Sequence, residues 1–289
     1  MRFLGRAWPW AALSGALALA ACAHNGPTPM SGATSPPVPD SATVALWHMD
    51  ERAGTRVADA GPRRLDGTAG RDTRTPYGRF NLARAFSLSL DSFVFVPYSE
   101  ALDLRSNLAI DVWLYPDAVG LNEDTPIAAR WTEDPSQQSW LFTLGGSGQR
   151  APANPDPSPG FRNALLSPAA PGHLWFLFQP EAAGAPRAFV STRAVEMDHW
   201  THVAVTYDGE EVRFFLDGIL DAQYASPGRI RSSEAPLLIG NYFDPRYLSR
   251  FGGDLSPDPP GGRTPYYAYQ GLIDELRISD DPRRTFAPR

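Results

Sequence analysis

Short runs of apolar residues, many of them alternating with polar ones, recur along most of the chain and are separated by Gly, Pro, Asp and Asn. β-Branched and aromatic residues dominate these runs, which is typical of strands with a buried face. The runs read ATVALWHM, RAFSLSL, SFVFVP, LAIDVWLYP, SWLFTLG, HLWFLFQP, HWTHVAVTYDG, VRFFLDGILDAQ and APLLIGN. Outside the N-terminal apolar segment, no stretch of about 12 or more residues keeps a helical period. The pattern therefore predicts an all-β domain.

A three-stranded meander is predicted in the second half of the chain. In WTHVAVTYDGEEVRFFLDG, alternate apolar residues lead into a polar turn at 208–211 and out of it again. A second turn at Asp217 and Gly218 adds a third strand from Ile219 to Tyr224. Strands of this kind favour two antiparallel sheets packed face to face.

The N-terminus has the layout of a secretory signal. A short basic start precedes an apolar run from Trp8 to Ala21, which is too short and wrongly flanked for a spanning helix. The run ends in LALAAC, which resembles the lipobox of bacterial lipoproteins, in which the cysteine is lipidated. This resemblance makes Cys22 the lipidation site, and Ala23 favours the outer membrane over the inner one. The alternative is an ordinary signal peptide followed by an incidental cysteine.

The chain is therefore divided into four segments. Residues 1–21 are the signal peptide, and residues 22–43 form a tether rich in Pro, Ser, Thr and Gly that has almost nothing to bury and is expected to be disordered. Residues 44–281 form one β domain, and residues 282–289 are a C-terminal tail. The predicted protein is held in the cell envelope by its lipid alone.

Charge and cysteine content exclude several functions. Removal of residues 1–21 removes two arginines and takes the formal charge from −6 to −8, so nucleic acid is not an expected partner. Cys22 is the single cysteine, which excludes a disulfide, a cysteine metal site or a thiol nucleophile inside the domain. All 26 basic residues are arginine, which excludes a catalytic lysine.

Five segments, in this order, resemble the laminin G-like jelly rolls of the concanavalin A-like superfamily. They read LWHMDERAGTRVADAGPRRLDGTAG, LAIDVWLYPD, HWTHVAVTYDGEEVRFFLDGIL, PLLIGN and GLIDELRIS, and they span about residues 44 to 280. The resemblance implies an all-β, concanavalin A-like jelly-roll sandwich of two antiparallel sheets. It also implies that the first and last strands lie side by side.

The last of these segments, GLIDELRIS, contains a carboxylate on an apolar face. Strict alternation along a strand places Leu272, Asp274, Leu276 and Ile278 on one face and Glu275 on the other. A buried charge is costly unless it is paired, so Asp274 needs a partner. The same alternation separates Asp274 from Glu275, which leaves no pair of carboxylates for glycoside hydrolysis.

Many members of the superfamily bind a structural calcium where the chain termini meet, and the resemblance carries this site over to Asp50 and Asp274. Calcium takes six to eight oxygen ligands. Ser89 stands where the family usually has an aspartate, so one carboxylate is missing. The alternative is that Asp274 accepts hydrogen bonds from backbone N–H groups, without a metal.

A long segment before the last strand, residues 243–269, is rich in aromatic residues. Aromatic faces beside hydrogen-bonding groups suit a sugar ring, which makes this segment the candidate ligand site. Its aromatic members are Phe243, Tyr247, Phe251, Tyr266, Tyr267 and Tyr269. The alternative is that these side chains only pin the segment onto the sandwich.

These observations favour a non-catalytic binding module that recognises a glycan, or an envelope or extracellular protein, at the bacterial cell surface. A polysaccharide hydrolase or lyase of the same superfamily is the alternative from another class. A structural envelope lipoprotein without a small ligand is the third hypothesis.

Replacement of the predicted lipidation site tests the anchor. Cys22→Ala should move the protein from the membrane fraction to the soluble fraction of the envelope, because the lipid is its only predicted membrane contact. Fractionation and immunoblotting measure this partition, with Ser31→Ala in the tether as the control. Unchanged partition of Cys22→Ala would contradict the prediction.

Overall fold

The computed structural model describes residues 35–117, 124–132, 134–146, 171–243, 248–251, 254–257 and 267–286. For residues 124, 249–251 and 254–257 it describes the backbone alone. Across these ranges no helix has the length and apolar character needed to cross a membrane. The two helical turns are short 3-10 turns, Glu100–Leu102 and Pro135–Gln137.

Apart from these two turns, the regular secondary structure of the described residues is entirely strand. The first ten are β1 (Thr43–Trp47), β2 (Arg56–Val57), β3 (Gly67–Ala69), β4 (Arg84–Phe86), β5 (Val94–Val96), β6 (Leu108–Pro116), β7 (Asp124–Trp131), β8 (Gln138–Gly145), β9 (His173–Phe178) and β10 (Arg187–Ala194). The others are β11 (Thr201–Tyr207), β12 (Glu211–Leu216), β13 (Ile219–Ala225), β14 (Leu237–Ile239), β15 (Asn241–Tyr242), β16 (Leu248–Phe251), β17 (Asp254–Pro257), β18 (Tyr267–Ala268) and β19 (Gly271–Ser279).

Two large antiparallel sheets carry the fold. The first, sheet A, has seven strands in the order β1-β19-β6-β11-β12-β13, with β4 beside β19. The second, sheet B, has eight strands in the order β10-β9-β8-β7-β14-β5-β3-β2. The predicted all-β class with two antiparallel sheets is confirmed. The first and last strands are neighbours, as the resemblance implied, since Trp47 of β1 pairs with Leu276 of β19.

The main core lies between the two sheets and explains the alternation seen in the sequence. Along β6 and β11 every second residue enters this core, and their neighbours lie on the outer face of sheet A, the face turned away from sheet B. The inward residues of these two strands are Leu108, Ile110, Val112, Leu114, Val203, Val205 and Tyr207. Sheet B supplies the opposite layer, including Trp140, Phe142, Phe176 and Phe178. The predicted meander is present as β11, β12 and β13.

A β-bulge in β19 corrects the predicted faces of GLIDELRIS. Asp274 pairs with Trp113 of β6 and Arg277 pairs with Asp111, so three steps along β19 match two steps along β6. Glu275 takes up the extra residue with a positive φ of 56°. Such a bulge switches the side-chain alternation of the strand.

The consequence is that strict alternation was wrong for half of this strand. Leu276 and Ile278 lie in the main core together with Ile273. Leu272 instead packs on the outer face of sheet A, against Trp113 and its neighbours. Asp274 lies on the same outer face as Leu272, whereas Leu276 lies on the face that is turned to the core.

The folded domain extends past the boundaries predicted at both ends. The guanidinium of Arg284 donates two hydrogen bonds of 2.8 and 2.7 Å to the carboxylate of Asp40. Phe286 is buried and its ring lies 5.0 Å from that of Phe215 and 5.7 Å from that of His202. The end of the predicted tether and the start of the predicted tail are thus tied together on sheet A.

A buried charged network lies under Phe286 on the outer face of sheet A. Asp111 accepts two hydrogen bonds of 2.9 Å from Arg277, and its Oδ2 lies 3.3 Å from Nε2 of His202. Burial raises the pKa of Asp111, but the hydrogen bond from His202 and the charge of Arg277 outweigh it and lower the pKa on balance. Asp111 is therefore charged and paired, which is the condition for burying it.

Removal of one member of this ion pair should lower the stability of the protein. Asp111→Ala leaves Arg277 buried without its counterion, and we expect a loss of about 3 to 5 kcal/mol in the free energy of unfolding. The double variant Asp111→Leu, Arg277→Met removes both charges and should lie within about 2 kcal/mol of the parent. Urea unfolding measures both values. A single variant as stable as the parent would show that the pair contributes nothing.

Candidate functional site

The junction of β1 and β19 brings three carboxylates together, as the resemblance implied for two of them, Asp50 and Asp274. This group, the terminal carboxylate cluster, consists of Asp50, Asp274 and Glu275. His48, just after β1, places its Nδ1 2.5 Å from Oε2 of Glu275. Asp50 lies close enough to raise the pKa of Asp274. The pairing of the terminal strands therefore positions the cluster.

The loop before β4 supplies hydrogen-bond donors to this cluster. Phe80 donates its backbone N–H to Oδ2 of Asp274 at 3.0 Å, and Leu82 donates its own to Oδ1 of Asp50 at 2.9 Å. The amide of Asn81 donates to Oδ2 of Asp50 at 3.1 Å. A Cβ at Gly78 would lie 2.6 Å from Oδ2 of Asp274, so the close approach of this loop requires glycine. No pattern in the sequence marks this loop as part of the site.

The bulge also corrects the predicted separation of Asp274 and Glu275. Both side chains are buried, and each has one oxygen without a hydrogen-bond partner, Oδ1 of Asp274 and Oε1 of Glu275. Burial, and then the charge of Glu275, raise the pKa of Asp274 to about 9. Burial also raises the pKa of Glu275, against the hydrogen bond from His48. The two carboxyls therefore belong to one cluster, and Asp274 is protonated at neutral pH.

The predicted calcium site can be compared with the oxygen ligands that this cluster offers. The ion takes six to eight oxygens. Among the described residues no group of three or more His, Cys, Asp or Glu is arranged to hold a metal. Both oxygens of Asp50 accept hydrogen bonds, and Oδ2 of Asp274 accepts one from the backbone N–H of Phe80, the kind of contact that the alternative predicted. Calcium at Asp50 and Asp274 stays a prediction.

Three of the aromatic ligand candidates are packed side chains. The ring of Phe243 lies 5.2 Å from that of Phe93, and Tyr267 stacks on Tyr242 with ring centres 6.1 Å apart. Tyr269 is buried in the main core. These three pin their segment onto the sandwich, as the alternative proposed. The side chains of Tyr247, Phe251 and Tyr266 lie outside the described residues, as does Cys22.

A cavity of about 300 Å³ opens on the outer face of sheet B, the face turned away from sheet A. Three parts of the chain form it: β5, the turn between β7 and β8, and the segment that leads into β14. Its lining residues are Phe95, Thr132, Asp134, Gln137, Glu234, Ala235 and Pro236. This volume lies at the lower end of the range for small-molecule sites, and apolar surface beside a few polar groups is their usual lining. We refer to it as the sheet B pocket.

Arg130 holds the walls of this pocket in place. Its side chain is fully buried and donates to the carbonyl oxygens of Leu102, Ser233 and Ala235 at 2.7, 2.6 and 3.3 Å. It also donates to the carboxylate of Asp103 at 3.3 Å. Burial lowers the pKa of Arg130, and Asp103 partly offsets this. In the sequence, the signal for this brace is an arginine inside the otherwise apolar run IAARW.

Hydrogen-bonding groups of the pocket come from its two polar walls. The amide of Gln137 accepts from the backbone N–H of Glu234 at 2.8 Å, and its Nε2 has no partner among the described residues. The carboxylate of Glu234 is exposed and likewise makes no hydrogen bond or ion pair with them. The hydroxyl of Thr132 accepts from the backbone N–H of Asp134 at 3.1 Å. The arrangement can bind hydroxyl groups beside the apolar surface of Phe95 and Pro236.

The two packed antiparallel sheets define a jelly-roll domain. A laminin G family model, described as the Concanavalin A-like lectin/glucanases superfamily, matches residues 89–257, which is more than half of the chain. The chain therefore belongs to the laminin G-like family of this superfamily. Comparison with curated proteins found no match.

Solved structures with the same fold include binding domains. The binding domain of Paraclostridial Mosquitocidal Protein 1 has a TM-score of 0.55 at 9% identity, covering 84% of this chain and 50% of that one. Botulinum neurotoxin type C, whose cell entry is dependent upon interaction with two ganglioside molecules, has a TM-score of 0.53 at 10% identity, with 84% and 49% covered. The chain thus spans about half the length of these two toxin chains.

A third structure covers nearly the whole of its own chain. Domain 4 of AbnA, a GH43 extracellular arabinanase from Geobacillus stearothermophilus, was solved in complex with arabinotriose. Its TM-score is 0.53 at 15% identity, covering 86% of this chain and 95% of that one. At these identities the likeness establishes a shared fold, and the ligand has to be argued from the site.

The variant Asp274→Asn distinguishes a hydrogen-bonded carboxyl group from a calcium site. Asp274 is fully buried with a pKa raised to about 9, so keeping its proton costs folding free energy that grows from about pH 4 to about pH 9. Asp274→Asn retains the acceptor for Phe80 and offers an N–H toward the acidic cluster. Without metal, we expect a stability gain on the order of 2 kcal/mol at pH 7 and none below pH 4.

Thermal melts with and without calcium or EDTA make the measurement, and Asp280→Asn at an exposed carboxylate is the control. If calcium binds, EDTA should lower the melting temperature of the parent, and Asp274→Asn should abolish that response. A loss of stability in Asp274→Asn with no EDTA effect on the parent would contradict both accounts.

Proposed function

We propose that this protein is a non-catalytic carbohydrate-binding module of the bacterial cell envelope. The sheet B pocket carries the proposal. The ring of Phe95 and the surface of Pro236 suit the C–H face of a sugar. The amide of Gln137 and the carboxylate of Glu234 suit its hydroxyls. The fold is shared with an arabinanase domain that was solved with arabinotriose and with a neurotoxin whose cell entry is dependent upon interaction with two ganglioside molecules. These neighbours support a glycan over the second predicted partner, an envelope or extracellular protein.

The envelope context of this proposal comes from the sequence. We infer that Cys22 is the lipid anchor, that the outer membrane is its location, and that residues 23–39 are the tether. The ion pair of Asp40 with Arg284 supports a tether that joins the domain at Asp40. The domain would then present the sheet B pocket at a distance from the membrane.

A hydrolase remains the second candidate because two carboxylates line the sheet B pocket. Asp134 and Glu234 come from different walls, as the two carboxylates of a glycosidase do. Asp274 and Glu275, which are adjacent in sequence, are only 0% and 1% exposed, so a polymer cannot reach them. Release of reducing ends in the binding assay below, abolished by Glu234→Gln, would favour the hydrolase.

Binding to a glycan array followed by calorimetry tests the proposal. Gln137→Ala removes a donor from the pocket, and Phe95→Ala removes the proposed stacking surface; each should weaken saccharide binding about tenfold, or about 1.4 kcal/mol. Tyr77→Ala is the matched control, because Tyr77 is 77% exposed and lies outside the pocket. Melting curves check that each variant is folded. Equal affinity in the parent and both pocket variants would contradict the site.

A further inference from the structure

The sheet B pocket has two carboxylates in its lining and no basic side chain among the described residues that line it. Asp134 lies in the turn after β7 and Glu234 in the segment before β14, so negative charge borders two sides. The carboxylate of Asp134 is held in orientation, since its Oδ1 accepts from the backbone N–H and the hydroxyl of Ser136, both at 2.8 Å.

Among the described residues, two arginines lie near these walls, and neither lines the cavity. Arg130 is 0% exposed and directs its donors to backbone carbonyls and Asp103, so its charge is engaged inside the protein. Arg231 donates to the carbonyl of Pro135 at 2.8 Å, on the rim. The described charged side chains that line the pocket itself are therefore acidic.

Glu234 is the charge that a ligand can use most directly. Its carboxylate is exposed, and it has no counterion among the described residues. Its backbone N–H is held by Gln137 at 2.8 Å, which fixes the position of the residue in the wall. A positioned carboxylate without a partner attracts a cationic group and repels an anionic one.

We propose that the sheet B pocket selects saccharides by charge and takes sugars that carry a protonated amine in preference to their N-acetylated forms. Sugars with carboxylate or sulfate groups are repelled by Glu234, and none of the described residues that line the pocket is basic. This inference rests on the proposed carbohydrate-binding function and names the ligand class of the same site. The amine donates to Glu234, and the ring lies against Phe95 and Pro236.

Calorimetry with glucosamine oligomers, N-acetylglucosamine oligomers of the same length and oligogalacturonate tests the charge preference. At about 10 mM salt the amine form should bind about fivefold more tightly than the N-acetylated form, which is the size expected for an exposed ion pair. The difference should shrink at about 500 mM salt, where exposed charges are screened. Oligogalacturonate should not bind.

Two conservative variants assign the effect to the pocket. Glu234→Gln keeps the size of the side chain and should abolish the preference for the amine while retaining the N-acetylated form. Glu210→Gln removes an exposed carboxylate from the turn between β11 and β12, outside the pocket. Both variants lower the negative charge of the surface by one, so Glu210→Gln should leave the fivefold preference unchanged if the preference is due to Glu234.

The outcomes separate this inference from the function on which it rests. Equal affinity for both forms, tighter binding of oligogalacturonate, or a preference that survives Glu234→Gln would overturn the charge selection while leaving carbohydrate binding intact. No binding of any saccharide would overturn the proposed function, and the selection with it.

Discussion

The antiparallel pairing of the first strand with the last is the interaction on which the rest of this structure depends. β1 has β19 as its neighbour in sheet A, and β19 also pairs with β6 and β4. Residues more than 200 positions apart in sequence therefore close one sheet, as His48 and Glu275 show. Pairing at this separation costs chain entropy that only the completed core repays. The ion pair of Asp40 with Arg284 extends the same contact beyond the strands.

Buried carboxyl groups lie on both sides of the bulge in β19, and they are accommodated in two different ways. On one side of it, Asp274 lies in a carboxylate cluster and has its pKa raised to about 9. On the other side, Arg277 pairs with Asp111, whose pKa is lowered. A positive φ at Glu275 costs about 1 to 2 kcal/mol in a non-glycine residue, so the surrounding contacts must hold it. Both solutions keep polar groups inside sheet A without an unpaired ion.

Structure and proposed function are divided between the two sheets. Sheet A contains the terminal junction and the buried pair of Asp111 and Arg277, which contribute to closure of the fold. Sheet B carries the pocket, whose walls meet because Arg130 binds carbonyls from two separate segments. A fold shared at identities of 9 to 15% says little about a ligand, so the argument for a sugar depends on Phe95, Gln137 and Glu234.

The sequence by itself determined the all-β class and the meander, because period-two alternation and turn residues act locally. Its resemblance to the laminin G-like family implied the neighbouring terminal strands and the approach of Asp50 to Asp274. The sequence could not reveal the bulge, since no glycine marks the positive φ at Glu275, and it therefore misassigned the faces of Leu276 and Ile278. The sheet B pocket was equally hidden. Its residues come from three separate segments with no shared motif, and their proximity is decided by strand order and by the hydrogen bonds of one buried arginine, which are properties of the tertiary structure alone.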